Sequence, residues 1–427
     1  QHPTLAFLSQ KYGQIKWLPQ SQALVFPPEG TAVYIFPHSS PLPDWAEPYL
    51  ATAVPLDSPL DSNGEPIFTA YERFPAETFS LTNPLNINFG GAITLLGYSM
   101  EPGHVNETIP LRLVWRVESQ PPGDFTPFVH LEDAWGYRWG QVETFAYPAA
   151  QWQPGEIIVQ QVAVPAPPGT PPGADYQLRV GLFDQASGER LPRLDGDGRY
   201  AGDSFVIEHA AVIASPPPDR LPHPPYVVDE PVTDGLRLLG YERSGLTVST
   251  GETIGVGLWW LAGQPQSELT TRLELHPASG PGRILTNTQP VHNTIPFNVW
   301  PTPIFLIDHV NGRIPDNITP GTYRLQMRLF NGQNEMVYET NLGTVTIEKS
   351  QRIFDPPPIQ NRLNALFGNE ISLLGYDLET AAADQYNLTL VWQAETVPAD
   401  GNGRRLQAIS AQPDVGDAIL LPLKIEE

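Results

Sequence analysis

Two short stretches of this 427-residue chain combine side chains that could do chemistry. The first, LDGDGRYAGD, places Asp195, Asp197 and Asp203 among glycines. Calcium takes several carboxylate oxygens on a flexible backbone, so this composition suits a calcium site. The stretch lacks the complete D-x-D-x-D-G-x5-E pattern, and a tight hairpin turn explains the same residues. Calcium is therefore the one cofactor that the sequence leaves open, beside a purely structural turn.

A second stretch, EDAWGYRWG, alternates aromatic residues near a predicted turn. It brings Trp135, Tyr137 and Trp139 together with Arg138. Aromatic rings that keep one edge exposed to solvent can stack on a sugar or on a protein partner, and a guanidinium group can add hydrogen bonds. We therefore predict such a contact here. The second repeat of the chain has HPASGPGR in this position, without aromatics. Cross-strand packing or an interdomain contact is the alternative explanation.

Catalytic motifs do not assemble elsewhere in the sequence. There is no GxSxG elbow, no HExxH, no P-loop and no dinucleotide-binding glycine pattern. The nine histidines are spread out, and His130 in PFVHLED falls within an alternating strand, which is typical of a structural histidine. Cysteine is absent, which excludes disulfides and thiolate chemistry. We therefore predict that this chain is not an enzyme and has no catalytic residue.

The composition narrows the classes of partner. Acidic residues outnumber basic ones by 47 to 24, which gives a formal charge of −23 and disfavours nucleic acid as a partner. No run of 18 apolar residues occurs, so no membrane insertion is predicted for this sequence. The 48 prolines are about twice the usual share of roughly 5%. Proline fits loops, edges and turns better than helices or central strands, so this load favours all-β domains.

Three copies of LLGY mark the elements that must position these residues. They occupy residues 95–98, 238–241 and 373–376, and a tryptophan strand follows each after 16 to 18 residues, around Trp115, Trp259 and Trp392. The tetrad carries neither a nucleophile nor a base, so it indicates a repeated domain and not a reaction. Within the strand ITLLGY, Gly97 suits a β-bulge or the close approach of another backbone.

The repeats predict a mainly β protein built from tandem Ig-like or jelly-roll-type antiparallel β-sandwiches. Segments such as YQLRVGLF and YRLQMRLF alternate in polarity and follow PPG or TPG turns, which is typical of strands with one buried face. Each repeat has about 140 residues, which is a globular domain and not a solenoid unit. The predicted domains are residues 76–214, 226–350 and 360–427, with stiff proline-rich linkers at 215–226 and 354–361.

The first 75 residues differ from the repeats. HPTLAFLSQKYG and PDWAEPYL predict short helices around the strands IKWL, ALVF and AVYIF, and EPIFTAYERF predicts a last strand. We interpret residues 1–75 as a partial α/β segment, a small remnant at the N-terminal side of the sandwiches.

The third repeat lacks its middle. Its end, GRRLQAISAQPDVGDAILL, aligns with GERLPRLDGDGRYAGDSFVI of the first repeat, so that Gly403 matches Gly188. Trp115 precedes Gly188 by 73 residues, whereas Trp392 precedes Gly403 by 11, a difference of 62 (73 − 11). We expect a segment of this length to be missing near residues 400–403, because a true deletion would leave unpaired strand edges.

The repeat frame resembles that of a known family. The motifs I-x-LLGY, L-x-W, F-x-x-F-V-H-L, W-x-PGE, PPG-x-Y-x-L-x-VGL-[FY]-D and GERLP resemble the extracytoplasmic β-sandwich tail of bacterial family-39, protein-mannosyltransferase-like membrane glycosyltransferases. KWLPQSQALVFPPEGTAVYIFP is similar to the stretch that follows their membrane part, and the second repeat departs from the frame by lacking FVHL, PGE and GERL. Members of that class use a lipid-linked sugar donor and a carboxylate near their first membrane helices, and no residue of this sequence matches that carboxylate.

The resemblance implies a noncatalytic accessory or interaction region outside the cytoplasm, at the cell surface or secreted. A membrane anchor is then expected upstream of Gln1. A secreted structural filament or adhesion rod and a carbohydrate-binding module array are the alternatives. Glycans or other surface proteins are the expected partners under each, because fold analogy alone does not choose among them.

Overall fold

A computed structural model describes the chain at residues 15–18, 22–74, 81–121, 123–143, 147–350, 356–367, 371–382, 385–395 and 418–426. The fold is mainly β, with tandem antiparallel sandwiches and little helix, as the sequence predicts. The chain separates into two compact units, residues 1–215 and 216–427, and each is described by itself. The predicted helix at residues 2–13 and the expected gap near 400–403 lie outside the described residues. The four predicted domain ranges stay predictions.

The described part of the first unit contains fourteen strands, one short α-helix and two 3-10 turns. The helix α1 is Glu47–Leu50, and the 3-10 turns are Asp44–Ala46 and Ala149–Gln151. The strands are β1 (Ala23–Phe26), β2 (Ala32–Pro37), β3 (Val54–Leu56), β4 (Phe68–Arg73), β5 (Asn83–Phe89), β6 (Ile93–Met100), β7 (Gly103–His104), β8 (Glu107–Val117), β9 (Phe125–Glu132), β10 (Arg138–Val142), β11 (Ile157–Ala166), β12 (Gly173–Asp184), β13 (Arg193–Leu194) and β14 (Phe205–Ile213).

Two of the sheets in this unit form the first sandwich. A six-stranded sheet has the order β1-β11-β8-β6-β5-β13, and a five-stranded sheet has the order β10-β9-β12-β14-β7. All neighbours are antiparallel except β7 and β14. The inward-facing side chains of both sheets, including Leu95, Trp115, Val129, Leu131 and Leu178, are buried in one core. At roughly 25 cal/mol per Å² of buried apolar surface, this core is the main source of stability.

The described part of the N-terminal segment combines strands with the short helix α1, as the predicted small α/β remnant does. The predicted strands ALVF, AVYIF and FTAYER form as β1, β2 and β4, whereas IKWL at residues 15–18 forms no strand. β2, β4 and β3 make a small antiparallel sheet, while β1 pairs with β11 at the edge of the first sandwich. Leu24 and Phe26 of β1 pack with Val114 and Val159 on the outer face of that sheet. Both faces of β1 are buried, since Ala23 and Val25 pack into the core of the sandwich while Leu24 and Phe26 pack on its outer face.

The described part of the second unit contains thirteen strands and a 3-10 turn at Phe297–Val299. The strands are β15 (Tyr226–Thr233), β16 (Leu236–Arg243), β17 (Thr247–Ser249), β18 (Thr253–Ala262), β19 (Leu269–His276), β20 (Arg283–Thr288), β21 (Ile304–Arg313), β22 (Gly321–Asn331), β23 (Met336–Glu348), β24 (Asn361–Phe367), β25 (Ile371–Ala382), β26 (Gln385–Ala394) and β27 (Ala418–Glu426).

The second sandwich repeats the topology of the first. Its sheets have the orders β15-β16-β18-β21 and β17-β23-β22-β19-β20, and β17 again pairs in parallel, with β23. Pairing corrects one detail of the repeat: Leu95 lies opposite Trp115, and the equivalent Leu238 lies opposite Trp260, so Trp260 and not Trp259 is the repeated core tryptophan. Both indoles are fully buried.

The third repeat forms a single sheet in the described residues, with the order β24-β25-β26-β27. β24, β25 and β26 match β5, β6 and β8 of the first sandwich. β27 follows β26 at the position that β11 holds beside β8. The sequence alignment matches this stretch to the segment of the first repeat that includes β14, and that match stays a prediction.

The glycine of LLGY is explained by the backbone that lies against it. Strand pairing slips by one residue just before the glycine in all three repeats. A Cβ on Gly97 would lie 2.7 Å from the carbonyl oxygen of Asn83, and Gly240 and Gly375 meet carbonyl oxygens in the same way. The sequence predicts either a β-bulge or a close backbone approach at this glycine, and the structure shows both.

One buried polar position differs between the sandwiches. In the first, Gln160 of β11 accepts a hydrogen bond from Nε1 of Trp115 at 3.2 Å. In the second, Asp308 of β21 takes that position, since β11 and β21 pair with the tryptophan strands in the same register. Its Oδ1 accepts a hydrogen bond from the backbone amide of Val291 at 2.7 Å. Val291 begins a run of three residues with φ between +50° and +69°, so the carboxyl group supports a strained turn.

Candidate functional site

The hairpin between β9 and β10 carries the predicted aromatic site, and a buried carboxylate fixes its shape. Oδ1 of Asp133 accepts hydrogen bonds from the backbone amides of Trp135 and Tyr137, each at 2.9 Å. Oδ2 of the same side chain accepts one from Nε1 of Trp139 at 3.0 Å. Gly136 supplies the left-handed residue of the turn, with φ of +87°. The three hydrogen bonds to the Asp133 carboxylate therefore fix the conformation of the turn.

The three predicted aromatics do not share one surface. Pairing between β9 and β10 slips between Arg138 and Gly140, and this bulge interrupts the alternation on which the prediction was based. Trp139 is partly buried and packs against the core of the first sandwich. Trp135 is 43% exposed, and Tyr137 is half-buried. Trp135 is thus the most open of the three rings.

The hairpin continues into a charged layer on the outer face of the five-stranded sheet. Oε2 of Glu132 accepts a hydrogen bond from Nε of Arg179 at 3.0 Å, and Arg138 lies 4.0 Å from the other oxygen. Ser204 links the Glu132–Arg179 ion pair to the Arg190–Asp203 ion pair. Its hydroxyl group accepts a hydrogen bond from Arg179 at 3.0 Å and donates one to Asp203 at 3.1 Å. We define the charged layer as His130, Glu132, Arg138, Arg179, Arg190 and Asp203.

His130 lies at the centre of the charged layer. It is 3% exposed, its ring stacks on Phe128 at 4.7 Å, and neither ring nitrogen has a hydrogen-bond partner in the described part of the chain. Glu132 and Glu143 approach the two nitrogens only to 3.9 and 3.8 Å. Burial, followed by the charge of Arg138, lowers the pKa of His130 to about 4. The imidazole is therefore neutral at physiological pH, and the structural role expected from the sequence stays a prediction.

The second sandwich carries the same two residue types in exchanged positions. β9 and β19 pair with β12 and β22 in the same register, which places Glu274 where the first sandwich has His130 and His276 where it has Glu132. Glu274 is buried and accepts from Arg328 at 2.9 Å, and His276 lies 2.8 Å away. A buried glutamate paired with arginine on this outer face is therefore a feature of both sandwiches.

The three aspartates predicted for calcium are not brought together. Oδ1 of Asp195 accepts hydrogen bonds from the backbone amides of Asp197 and Arg199, at 2.9 and 2.8 Å, which is the predicted alternative of a structural turn. Asp203 instead pairs with Arg190 at 2.6 Å in the charged layer. Among the described residues, no group of three histidine, aspartate or glutamate side chains is placed to hold a metal ion.

Sequence reasoning found some members of the charged layer and missed others. It named Arg138 for a glycan contact and Asp203 for calcium, and the structure places both in this one layer. Arg179 and Arg190 were missed, because they come from a strand and a turn about 50 residues away in sequence. The alternation of YQLRVGLF could have indicated Arg179, because it places this residue on the outward-facing side of the strand. There Arg179 lies opposite His130 across the β9–β12 pair.

No known protein family matches the chain. No curated protein matches it either. Across the described residues, no helix has the length and apolar character needed to cross a membrane.

We expect the first sandwich to lose stability as the pH falls from about 6.5 to about 4, because unfolding lets His130 take up a proton that the fold excludes. The folded-state pKa is depressed, so this contribution is fully present above the unfolded-state value near 6.5. His130→Phe keeps an aromatic ring stacked on Phe128. Its free energy of unfolding should rise by about 2 kcal/mol relative to that of the native chain when the pH is lowered from 7 to 4. Urea unfolding at both pH values measures it, and exposed His104→Gln is the control. Parallel curves for His130→Phe and the native chain would contradict the assignment.

Proposed function

We propose that this chain is a noncatalytic, extracytoplasmic interaction region of a membrane glycosyltransferase-like or cell-surface protein. In this proposal the sandwiches are a stable frame, and the hairpin between β9 and β10 presents Trp135 to a glycan or protein partner. The motif resemblance supports the setting outside the cytoplasm, and the acidic surface agrees with a protein kept in solution.

The exposed indole on a fixed turn is the observation that carries this proposal. A partly exposed tryptophan is an effective contact, because it offers a large amphipathic surface with few rotatable bonds. Asp133 holds the turn, so little order has to be gained on binding. The second sandwich keeps the β19–β20 hairpin but connects its strands through residues 277–282, which contain no aromatic side chain. The same frame with a variable loop is the usual arrangement of a binding module.

The second candidate is a structural or adhesion rod in which the array of sandwiches is itself the function. The proline-rich linkers at residues 215–226 and 354–361 favour it, because such segments act as semi-rigid spacers. An array of carbohydrate-binding modules is the third alternative and shares its test with the main proposal. The source reading frame separates the settings: membrane helices encoded upstream of Gln1 support the transferase tail, and a lone signal peptide supports the rod.

Trp135→Ala tests the interaction function directly. We expect the native chain to bind an array of mannose-, glucose- or galactose-containing oligosaccharides, and the variant to bind about tenfold more weakly. Trp17→Ala is the matched control, since Trp17 is also exposed, at 48%, but lies far from the hairpin in sequence. Binding that Trp17→Ala weakens and Trp135→Ala leaves unchanged would overturn the role of the hairpin.

A further inference from the structure

A polar cleft of about 560 Å³ lies on the outer face of the six-stranded sheet, on the other side of the first sandwich from the charged layer. Three side chains form one row across its floor, because Asn88 of β5 pairs with Thr94 of β6, and Thr94 pairs with Arg116 of β8. Leu194 of β13 pairs with Asn88 and extends the row. The volume falls within the range of small-molecule sites, about 300–1,000 Å³.

The floor of the cleft is pre-organised by a hydrogen-bond chain. Asn88 donates to Thr94 at 3.2 Å, Thr94 donates to Oε1 of Glu118 at 2.7 Å, and Arg116 donates to the same oxygen at 2.8 Å. Burial alone would raise the pKa of Glu118, but the hydrogen bonds from Arg116 and Thr94 outweigh it and hold the pKa below its ordinary value. Glu118 is therefore a fixed, ionised acceptor at neutral pH.

Donors and acceptors in the cleft are left without protein partners in the described part of the chain. Every hydrogen bond to Glu118 ends on Oε1, so Oε2 is an open acceptor. The guanidinium of Arg116 is 43% exposed, so it can offer a donor to a ligand while it holds Glu118. The amide of Asn86, which also lines the cleft, adds both a donor and an acceptor.

An exposed tyrosine lies next to the cleft in the strand pairing, outside the lining itself. The hairpin that contains Asp195 closes one side of the cleft through Gly196 and Gly198. Tyr200 lies opposite Leu194 in this hairpin, so both side chains leave it on the same side, and Tyr200 is 72% exposed. A tyrosine beside a row of amide, carboxylate and guanidinium groups offers a stacking face and hydrogen-bond partners together.

The equivalent cleft of the second sandwich shows that these groups are not required by the fold. A space of about 410 Å³ occurs at the same place, lined by residues such as Pro231, Leu261 and Pro303. The strand register puts Arg237, Leu261 and Gly263 where the first sandwich has Thr94, Arg116 and Glu118. In the third repeat, Ser372 donates to Glu395 at 2.6 Å and restores the Thr94–Glu118 contact. The polar floor therefore varies between repeats of one topology.

From this arrangement we infer that the cleft of Asn86, Asn88, Arg116, Glu118 and Arg193 binds a neutral saccharide, with a sugar ring on Tyr200. Sugar hydroxyl groups both donate and accept, which matches the open carboxylate oxygen of Glu118 beside the exposed guanidinium of Arg116. Glu118 and the net charge of −23 disfavour an anionic ligand. The inference rests on the proposed interaction function and names a ligand class and a second place for it.

Saturation-transfer NMR on the full chain tests the cleft, with methyl α-mannoside, maltose, cellobiose and lactose as neutral probes and glucuronate as the charged one. We expect a neutral probe to bind with a Kd of about 1 mM, as is usual for an open polar cleft. Tyr200→Ala and Glu118→Gln should each weaken binding about tenfold. Arg237→Ala, in the cleft of the second sandwich, should change it less than about twofold, and Tyr200→Ala should keep its full effect in the Trp135→Ala background, where the proposed hairpin contact is absent. Unchanged thermal unfolding verifies that each variant is folded.

Three outcomes overturn the inference. The first is the absence of saturation transfer to every neutral probe up to about 50 mM, because binding weaker than that does not make a site. Glucuronate could bind instead and bind more tightly to Glu118→Gln, which would make the cleft an anion site. Neutral binding could disappear in Trp135→Ala and persist in both cleft variants; in that case the proposed interaction function stands and only its assignment to the cleft fails.

Discussion

Replacing Asp308 with asparagine is expected to stabilise the second sandwich by about 4 kcal/mol at pH 8 and by less than about 0.5 kcal/mol at pH 4. The carboxyl group is 1% exposed, and burial raises its pKa to about 7, although the hydrogen bond from the amide of Val291 acts in the opposite direction. Asparagine keeps that acceptor and removes the charge.

The direction follows from the proton balance of this one group. The folded-state pKa lies above the unfolded value near 3.9, so the native fold holds a proton that the unfolded chain releases. The contribution of Asp308 is then fully favourable below about pH 4 and is lost as the pH rises through about 7. Buried histidines change the stability of the native chain at lower pH, since burial, followed by the charge of His292, lowers the pKa of His309 to about 4. These histidine contributions are the same in the variant and in the native chain, so they cancel when the two are compared at one pH.

Urea unfolding at both pH values, followed by hydrogen exchange of peptides from β18 and β21, measures this difference within the second sandwich. Asp316→Asn is a matched control, because that carboxylate is 72% exposed and pairs only with Arg313, at 3.5 Å. A native chain that is more stable than Asp308→Asn at pH 8 would show that the buried carboxylate is stabilising, contrary to its surroundings.

Trp115→Ala should destabilise the first sandwich by about 3–5 kcal/mol, which is the usual range for removing a large core aromatic. The indole is fully buried, and its ring centroid lies 6.1 Å from that of Phe89 across the β5–β8 region. The substitution removes that contact, leaves a cavity and takes away the donor that bonds to Gln160. Loss of this size is a large part of the stability of a single domain.

Hydrogen exchange of the full chain localises the effect. Peptides from β8 and β11 should lose protection in Trp115→Ala, while those from β18 and β21 should lose protection only in Trp260→Ala. Trp135→Ala is the surface control and should cost less than about 1 kcal/mol. Equal losses in both sandwiches from either core substitution would mean that the two cores do not unfold as separate units.

The mainly β sandwich fold was predictable because polarity alternation and proline content are local signals. YQLRVGLF shows its period in eight residues, and the LLGY glycine shows the need for a bulge. The position of β1 was not predictable in the same way. Nothing within ALVF indicates that it pairs with β11, since edge pairing over such a distance depends on which edge is free.

The candidate sites were predictable only where one turn contains all the residues. The aromatic hairpin was found because Asp133, Trp135 and Tyr137 are neighbours in sequence. The charged layer and the polar cleft were not found, because strand register and loops bring together residues from three strands and two loop positions in the layer, and from four strands in the cleft. Thr94 and Arg116, for example, become adjacent only through the β6–β8 pairing. Whether the hairpin residues or the three aspartates bind anything stays a prediction from the sequence.

The edge strand β1 has a consequence for the order in which the first sandwich can assemble during synthesis. β1 emerges from the ribosome early, but the strand it pairs with, β11, begins only at Ile157. The hairpins β5–β6 and β9–β10 close short loops and can form as soon as they appear, whereas β1 must wait for a long loop to close. Until then Ala23 and Val25 have no sandwich core to enter, and the nascent chain carries an apolar segment that a chaperone can hold.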